Sequence, residues 1–355
     1  MAPRPDLRAA PVKAVVLVGG EGTRLRPLTE TIPKPLVPLL DRPSLDHVLD
    51  HLARHGVHEV VLSSSYLEAT FHSFIQARHG EPAVTWITET EPLGTGGAIL
   101  NALEHVGDEP FFALNGDILT DLDLSAMLAF HRERGAVATI ALQHVDDARP
   151  FGLVPTREDG GVIEFREKPQ EPVPGDVNAG TYLLDPGVMR AWTAERPPAG
   201  SRAISIEREI FPAMIERGEP VFGFVSSPYW IDLGTPESYL RAHFDLLEGR
   251  VRGYDALAGP YVADPSGVDL RAHLGRWVVA GDRVRVARDA EIDDSVLLPE
   301  ARVGAGARVS SSIVGPGATV GDGATVVASV LAEGAEVRPG ATLEGARVSA
   351  GQVAG

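Results

Sequence analysis

The sequence predicts an α/β domain built on a mixed, mainly parallel sheet, followed by a parallel β-helix. Three observations predict it. Short apolar runs alternate with helix-length segments from Lys13 to Asn115, the pattern of parallel strands with helices on both faces. Strand-like runs dominate residues 136–184, with turns at 159–161 and 174–176, which predicts antiparallel additions. Finally, SVLLPEARVGAGARV (295–309), SIVGPGATVGDGATV (312–326) and SVLAEGAEVRPGATL (329–343) are self-similar at a spacing of 17 residues. Within them aliphatic residues recur about every six positions, as in Val314, Val320 and Val326. Such a beat with Gly-rich corners gives three short strands per coil. The first part is therefore expected to be Rossmann-like, and the second a left-handed parallel β-helix of hexapeptide-like repeats.

The elements follow in order. KAVVLV (13–18) is a buried strand, and a Gly-rich loop succeeds it. Pro43 to His55 is helical and stops at Gly56; residues 57–63 form a strand. Leu67 to Arg78 is helix, 83–87 strand, Gly96 to His105 helix and 110–115 strand. Thr235 and Pro236 open a last helix, as N-cap and first-turn proline, running to about Glu248. The expected divisions are a disordered tail over 1–12, the α/β domain over 13–248, a connector over 249–275 and the coil over 276–355.

Composition narrows the functions available. The chain has 355 residues, 44% of them hydrophobic, enough for two or three domains with real cores. No run approaches the ~18 apolar residues of a membrane span, and the first twelve residues hold no signal-like apolar stretch. Cysteine is absent, which removes thiolate chemistry and fits the cytoplasm. The net charge of −17 argues against nucleic acid and anionic membranes as partners. A polyanionic substrate then requires a local basic island. Of 32 basic residues only Lys13, Lys34 and Lys168 are lysine, so these three mark places where a compact ammonium is needed.

Four segments carry chemistry. In GGEGTRLRPLTETIPKPL (19–36) the glycines free backbone N–H groups to approach phosphate, while Arg24, Arg26 and Lys34 bring positive charge. No GK[ST] follows, so it is not a P-loop, and the third glycine of a dinucleotide fingerprint is missing. In LNGDILTDLDL (114–124), Asp117 ends a buried strand and offers the carboxylate oxygens that Mg2+ takes; Asp121 and Asp123 read as caps. In the third, FGLVP…FREKP (151–169), Gly152 allows close backbone approach and Glu167-Lys168 follows a strand. The fourth, PYWIDLGTPESYL (228–240), places Asp232 just before the last helix.

Together these segments, in this order across residues 13–245, resemble the sugar-nucleotide pyrophosphorylases. The branch resembled most is that of the mannose-1-phosphate guanylyltransferases, in which a β-helix tail is common. The resemblance implies a role for each matched residue. Leu17, Gly19, Gly20, Gly22 and Thr23 would border the nucleotide, with Glu89 and Gly94 at the base. Arg24 and Lys34 would hold the phosphates as pyrophosphate departs. Lys168 would grip the sugar phosphate, and Gly152, Glu167 and Asn178 would contact the sugar. Asp117 and Asp232 would bind Mg2+. A carboxylate at Glu89 can accept from both N1–H and N2–H of guanine, which favours GTP, with mannose 1-phosphate as acceptor.

The expected reaction is in-line displacement at the α-phosphorus, without a protein nucleophile. Two rivals stand beside it: the same transfer with dTTP, UTP or a cyclitol 1-phosphate, and a non-catalytic sugar-nucleotide-binding regulator. No histidine follows His273 and no lysine follows Lys168. The coil therefore lacks the base of an acetyltransferase and is expected to serve assembly, making the protein a homo-oligomer, or regulation.

Overall fold

The computed structural model describes residues 12–64, 68–89, 91–194 and 203–355. All but Val12 of the expected tail lies outside them. Two compact units are present. One holds the residues up to Gly20 with His47–Trp230, and the other holds Glu21–Asp46 with Ile231–Gly355.

The first unit is built on strands β1 (Ala14–Leu17), β2 (Glu59–Ser64), β3 (Ala83–Thr88), β4 (Phe111–Asn115), β5 (Ala138–Val145), β6 (Gly152–Leu153), β7 (Arg166–Glu167), β8 (Gly175–Leu184) and β9 (Val221–Val225). Their order is β7-β6-β8-β4-β1-β2-β3, with β5 beside β8 and β9 beside β5. β1 is central and parallel to both neighbours, Ala14 standing opposite Val60 and Phe112. Its AVVL run is apolar throughout because both faces are covered. β6, β7 and β8 join antiparallel, as expected, whereas β9 pairs with β5 in parallel.

Eight α-helices accompany the strands among the described residues: α1 (Ser44–Arg54), α2 (Glu68–Ala77), α3 (Gly94–Asn101), α4 (Leu103–Val106), α5 (Leu124–Arg134), α6 (Pro186–Ala194), α7 (Phe211–Glu216) and α8 (Pro236–Leu247). The single helix expected over 96–105 is two, broken at Ala102, whose N–H is shared by the Ala98 and Ile99 carbonyls. Asp123 caps α5 by accepting from Ala126 N. Asp121 is no helix cap: its carboxylate accepts from Tyr229 N, and its own N–H donates to Tyr229 O. Residue Gly175 stands in β8, so 174–176 is a strand entrance and not a turn. Thr235 does cap α8, in a capping box with Ser238.

In the second unit the coil has three parallel sheets. Successive rungs of the first run through Tyr261, Val279, Val296, Ile313, Val330 and Arg347. This is the three-sided stacking expected of the β-helix. The pairing begins at Tyr261, inside the segment taken as a connector, because the six-residue beat is weak there. Each of the three corners repeats one residue at positive φ: Asp294, Ser311, Ala328 and Gly345 at one, Asp289 and Gly306, Gly323, Gly340 at the next, Arg283, Glu300 and Gly317, Gly334, Gly351 at the third. A buried serine ladder lines one corner. Ser295 Oγ accepts from Ser312 N at 3.1 Å, and Ser312 Oγ from Ser329 N at 3.0 Å, so corner amides hidden from water keep partners.

The three outer faces differ. Two present polar columns: Arg285, Arg302, Thr319, Glu336 on one and Glu291, Arg308, Thr325, Thr342 on the other. The first face instead presents Val279, Val296, Ile313 and Val330, all buried. They pack with Leu25, Leu28 and Val37 of the Gly-rich segment and with Tyr239 and Leu247 of α8. The coil is thus the apolar floor beneath the basic loop.

Candidate active site

The basic loop is shaped by short-range contacts. Gly22 adopts the left-handed conformation (φ 58°), and a Cβ there would meet Thr29 and Lys34 Cβ at 3.1 Å. Thr29 Oγ1 donates to Gly22 O. From this turn a 3-10 segment, Thr23–Leu25, buries Leu25 and leaves Thr23 and Arg24 exposed. A second short turn, Lys34–Leu36, buries Lys34 almost entirely.

Their charges meet on one residue. Arg24 Nη2 donates to Asp232 Oδ2 at 3.1 Å, and Lys34 Nζ donates to Asp232 Oδ1 at 3.0 Å. A Cβ at Gly234 would stand 2.6 Å from Arg24 Nη2 and 2.9 Å from Asp232 Oδ1, so glycine there leaves room for both groups. Two residues of the first segment therefore both contact one residue of the fourth.

A second group lies in the first unit. Glu167 and Gly152 are cross-strand partners. A Cβ at Gly152 would come within 2.6 Å of the Phe165 ring and 3.0 Å of Glu167 Oε2. Glycine here makes space for the glutamate as well as for any ligand. Lys168 has positive φ (50°), its N–H donates to Phe151 O, and its exposed ammonium lies 3.8 Å from Glu167 Oε1. A register shift between Asn178 and Tyr182 interrupts the β8–β5 pairing, and such bulges re-aim side chains. Asn178 Nδ2 donates to Tyr182 Oη at 2.7 Å, and that hydroxyl donates to Glu207 Oε1 at 3.3 Å. Burial, with the Glu207 carboxylate beside it, raises the Tyr182 pKa, so the hydroxyl keeps its proton and orients Asn178.

Sequence reasoning missed Glu207. It also accepts from Thr95 Oγ1 (2.7 Å) and Ser205 Oγ (2.6 Å), and so ties the start of α3 to the π-helical turn Ile206–Ile210. The only signal was the charged triplet Glu207-Arg208-Glu209 between apolar residues in AISIEREIF. Trp230 was missed too. Its Nε1 donates to Ala179 O and its ring packs edge-on against Phe151, which flanks the Asn178 region with aromatic surface.

The remaining candidates divide. Leu17 ends β1, and Gly19 and Gly20 follow it exposed. Asp117 does not end the strand. It sits in the two-residue turn after β4, where Gly116 N donates to Leu17 O at 2.9 Å and a Cβ on Gly116 would strike Val16 and Val18. Both positions lie at strand carboxyl ends, where such sheets bind ligands. Glu89 is buried, accepting from Ser63 Oγ (2.8 Å) and Leu93 N (3.1 Å). The carboxylate braces the turn that delivers Gly94 (φ 74°), itself packed against Ile204 O.

The donors suit a hard cation. Asp117 and Asp232 offer only carboxylate oxygen, as Mg2+ prefers. Each oxygen of the Asp232 carboxylate accepts from a cationic side chain. Among the described residues no cluster of three or more His, Cys, Asp or Glu exists that could hold an ion alone. A magnesium ion, which keeps waters and substrate phosphates as ligands, needs no such cage.

Residues 13–249 match the family model for nucleotidyl transferase, and residues 257–352 match that for the GMPPB C-terminal domain. A mannose-1-phosphate guanylyltransferase of Mycobacterium tuberculosis is 38% identical over 301 residues, 82% of this chain and 81% of its own. The mannose-1-phosphate guanylyltransferase catalytic subunit beta of Danio rerio is 36% identical over 72% of each chain. The crystal structure of HddC from Yersinia pseudotuberculosis superposes with a TM-score of 0.57 at 31% identity, over 65% of this chain and 98% of that one. Its complex with GMP-PN gives 0.56 at the same identity and coverage. On the match over residues 13–249 and the kinship with these curated relatives, the chain belongs to the nucleotidyl transferase family.

Proposed function

We propose that the chain transfers a guanylyl group from GTP to mannose 1-phosphate, releasing pyrophosphate, with Mg2+ as cofactor. The observation that carries this is the joining of Arg24 and Lys34, expected to hold phosphate, to Asp232, an expected metal ligand 208 and 198 residues away. The guanylyltransferase relatives, and the GMP-PN bound by the HddC structure, support the base and the sugar.

In this reading catalysis is alignment and charge stabilisation. Leu17, Gly19, Gly20, Gly22 and Thr23 border the nucleotide, with Glu89 and Gly94 at the base. Arg24 and Lys34 take the charge that builds on the departing pyrophosphate. Lys168 holds the incoming phosphate, while Gly152, Glu167 and Asn178 position the sugar. Asp117 and Asp232 hold the magnesium ion, which when bound neutralises nucleotide phosphate oxygens.

The same proposal places catalysis in residues 13–248 and self-association in the coil. It places the protein in the cytoplasm; none of the described helices is long and apolar enough to cross a membrane. A panel of GTP, UTP, dTTP and ATP against several sugar 1-phosphates, read by pyrophosphate release, tests the reading. GTP with mannose 1-phosphate should give the highest kcat/KM, and a higher value for another pair overturns the substrate assignment.

A further inference from the structure

The outward column of the coil's first face runs Val279, Val296, Ile313, Val330 and then Arg347. After the half-buried Tyr261 of the first rung, four buried aliphatics give way to an exposed arginine at the sixth. Packing alone gives no reason for the change, because the same rung keeps an inward Val348 that is buried like its predecessors.

The reason lies in what covers the face. The loop's Leu25 and Leu28, both fully buried, join the four aliphatics in one apolar cluster with Tyr239 and Leu247 of α8. At the sixth rung the loop presents backbone. Arg347 Nη1 donates to the carbonyls of Arg24 and Arg26. Two positions on, Ser349 Oγ donates to Glu30 Oε1 at 3.0 Å, and Ala350 N donates to Glu30 Oε2 at 3.3 Å. A guanidinium, with five donors, suits backbone carbonyl acceptors. One rung thus grips the loop at Arg24, Arg26 and Glu30. The backbone it holds is that of Arg24, whose own guanidinium reaches Asp232.

We infer that Arg347 is a positioning residue for the phosphate-binding loop. It holds the backbone of residues 24–26 and so fixes where the Arg24 guanidinium sits, at Asp232. The inference rests on the proposed function only for its kinetic consequence. Through this contact the coil acts on turnover within one chain, beyond any role in assembly.

The test is Arg347→Ala, with Arg347→Lys beside it, followed in two ways. Hydrogen exchange on residues 22–31 should speed up in the alanine variant and return most of the way with lysine, which keeps a donor. In steady state the alanine variant should raise the nucleotide KM and lower kcat, together on the order of tenfold in kcat/KM, since small misplacements of aligning groups are costly. The sugar phosphate KM should move less than twofold. Unchanged exchange in the loop overturns the inference. So does an equal loss toward both substrates with a lowered melting temperature, which is the mark of general destabilisation. If the wild type transfers no nucleotide, the proposed function fails, while the exchange experiment still decides whether Arg347 holds the loop.

Discussion

Lys34 Nζ lies 3.0 Å from Oδ1 of Asp232, 198 residues away in the chain. The ammonium is buried, its side chain only 9% exposed, while the carboxylate is 27% exposed. The pair is shielded on the lysine side and open on the aspartate side, where Arg24 also arrives. A single carboxylate therefore sets the position of both loop cations.

Asp232→Asn should reduce turnover by on the order of 10²–10³, the usual effect of losing one preorganised electrostatic contact. It should also lower stability, because a buried ammonium loses the negative charge it is paired with. Asp117→Asn should cost similar turnover. Pyrophosphate-release kinetics with parallel melting curves decide; near wild-type rates for both variants contradict the metal assignment.

The two lysines should separate kinetically. Lys34→Ala should act on the nucleotide KM and on kcat, and Lys168→Arg mainly on the sugar phosphate KM, since a planar guanidinium is a poor substitute for a compact ammonium. Lys34→Arg should also fail, because Lys34 is enclosed and Gly22 stands against its Cβ. Identical profiles for the Lys34→Ala and Lys168→Arg variants contradict the division.

Glu89 makes two bonds within its own chain, so its variants report on two roles. Glu89→Gln should erode the preference for GTP over UTP by about 1–3 kcal/mol, through a lost charge-assisted bond. A lower melting temperature with unchanged base preference reduces Glu89 to a brace for the Leu93–Gly94 turn.

Acid should destabilise the fold through two histidines. Burial, chiefly, lowers the pKa of His51 to about 3 and that of His131 to about 4. The unfolded chain binds these protons near pH 6.5, so the stability they hold is intact above that pH and is lost as pH falls toward 4. His131, hydrogen-bonded to Thr139 Oγ1, should contribute on the order of 3 kcal/mol to that loss. Urea unfolding at pH 7.5 and 5 should show a clearly smaller drop for His131→Asn; an equal drop contradicts the assignment.

Much of this was legible from sequence, for physical reasons. β1 and β4 announce themselves because central parallel strands are apolar on both faces, and the coil because its corners repeat. Arg24, Lys34, Asp117, Lys168 and Asp232 were marked by motif. The doublets Val279-Ala280, Val296-Leu297, Ile313-Val314 and Val330-Leu331 also held a message, since an apolar outer column requires a cover. What covers it, the loop carrying Arg24, could not be read, because that contact joins segments some 300 positions apart. Glu207 and Arg347 stayed hidden because Thr95 and the Arg24 and Arg26 carbonyls that they hold lie more than 100 and 300 positions away; the 17-residue column shows that Arg347 breaks the apolar series but not what it grips.

The most direct test follows the label from GTP carrying ³²P at the α-position, incubated with mannose 1-phosphate and Mg2+. The account predicts that label passes into GDP-mannose, that none becomes attached to protein, and that Asp232→Asn abolishes most of the transfer. Label that remains in GTP, or that is found covalently on the protein, contradicts it.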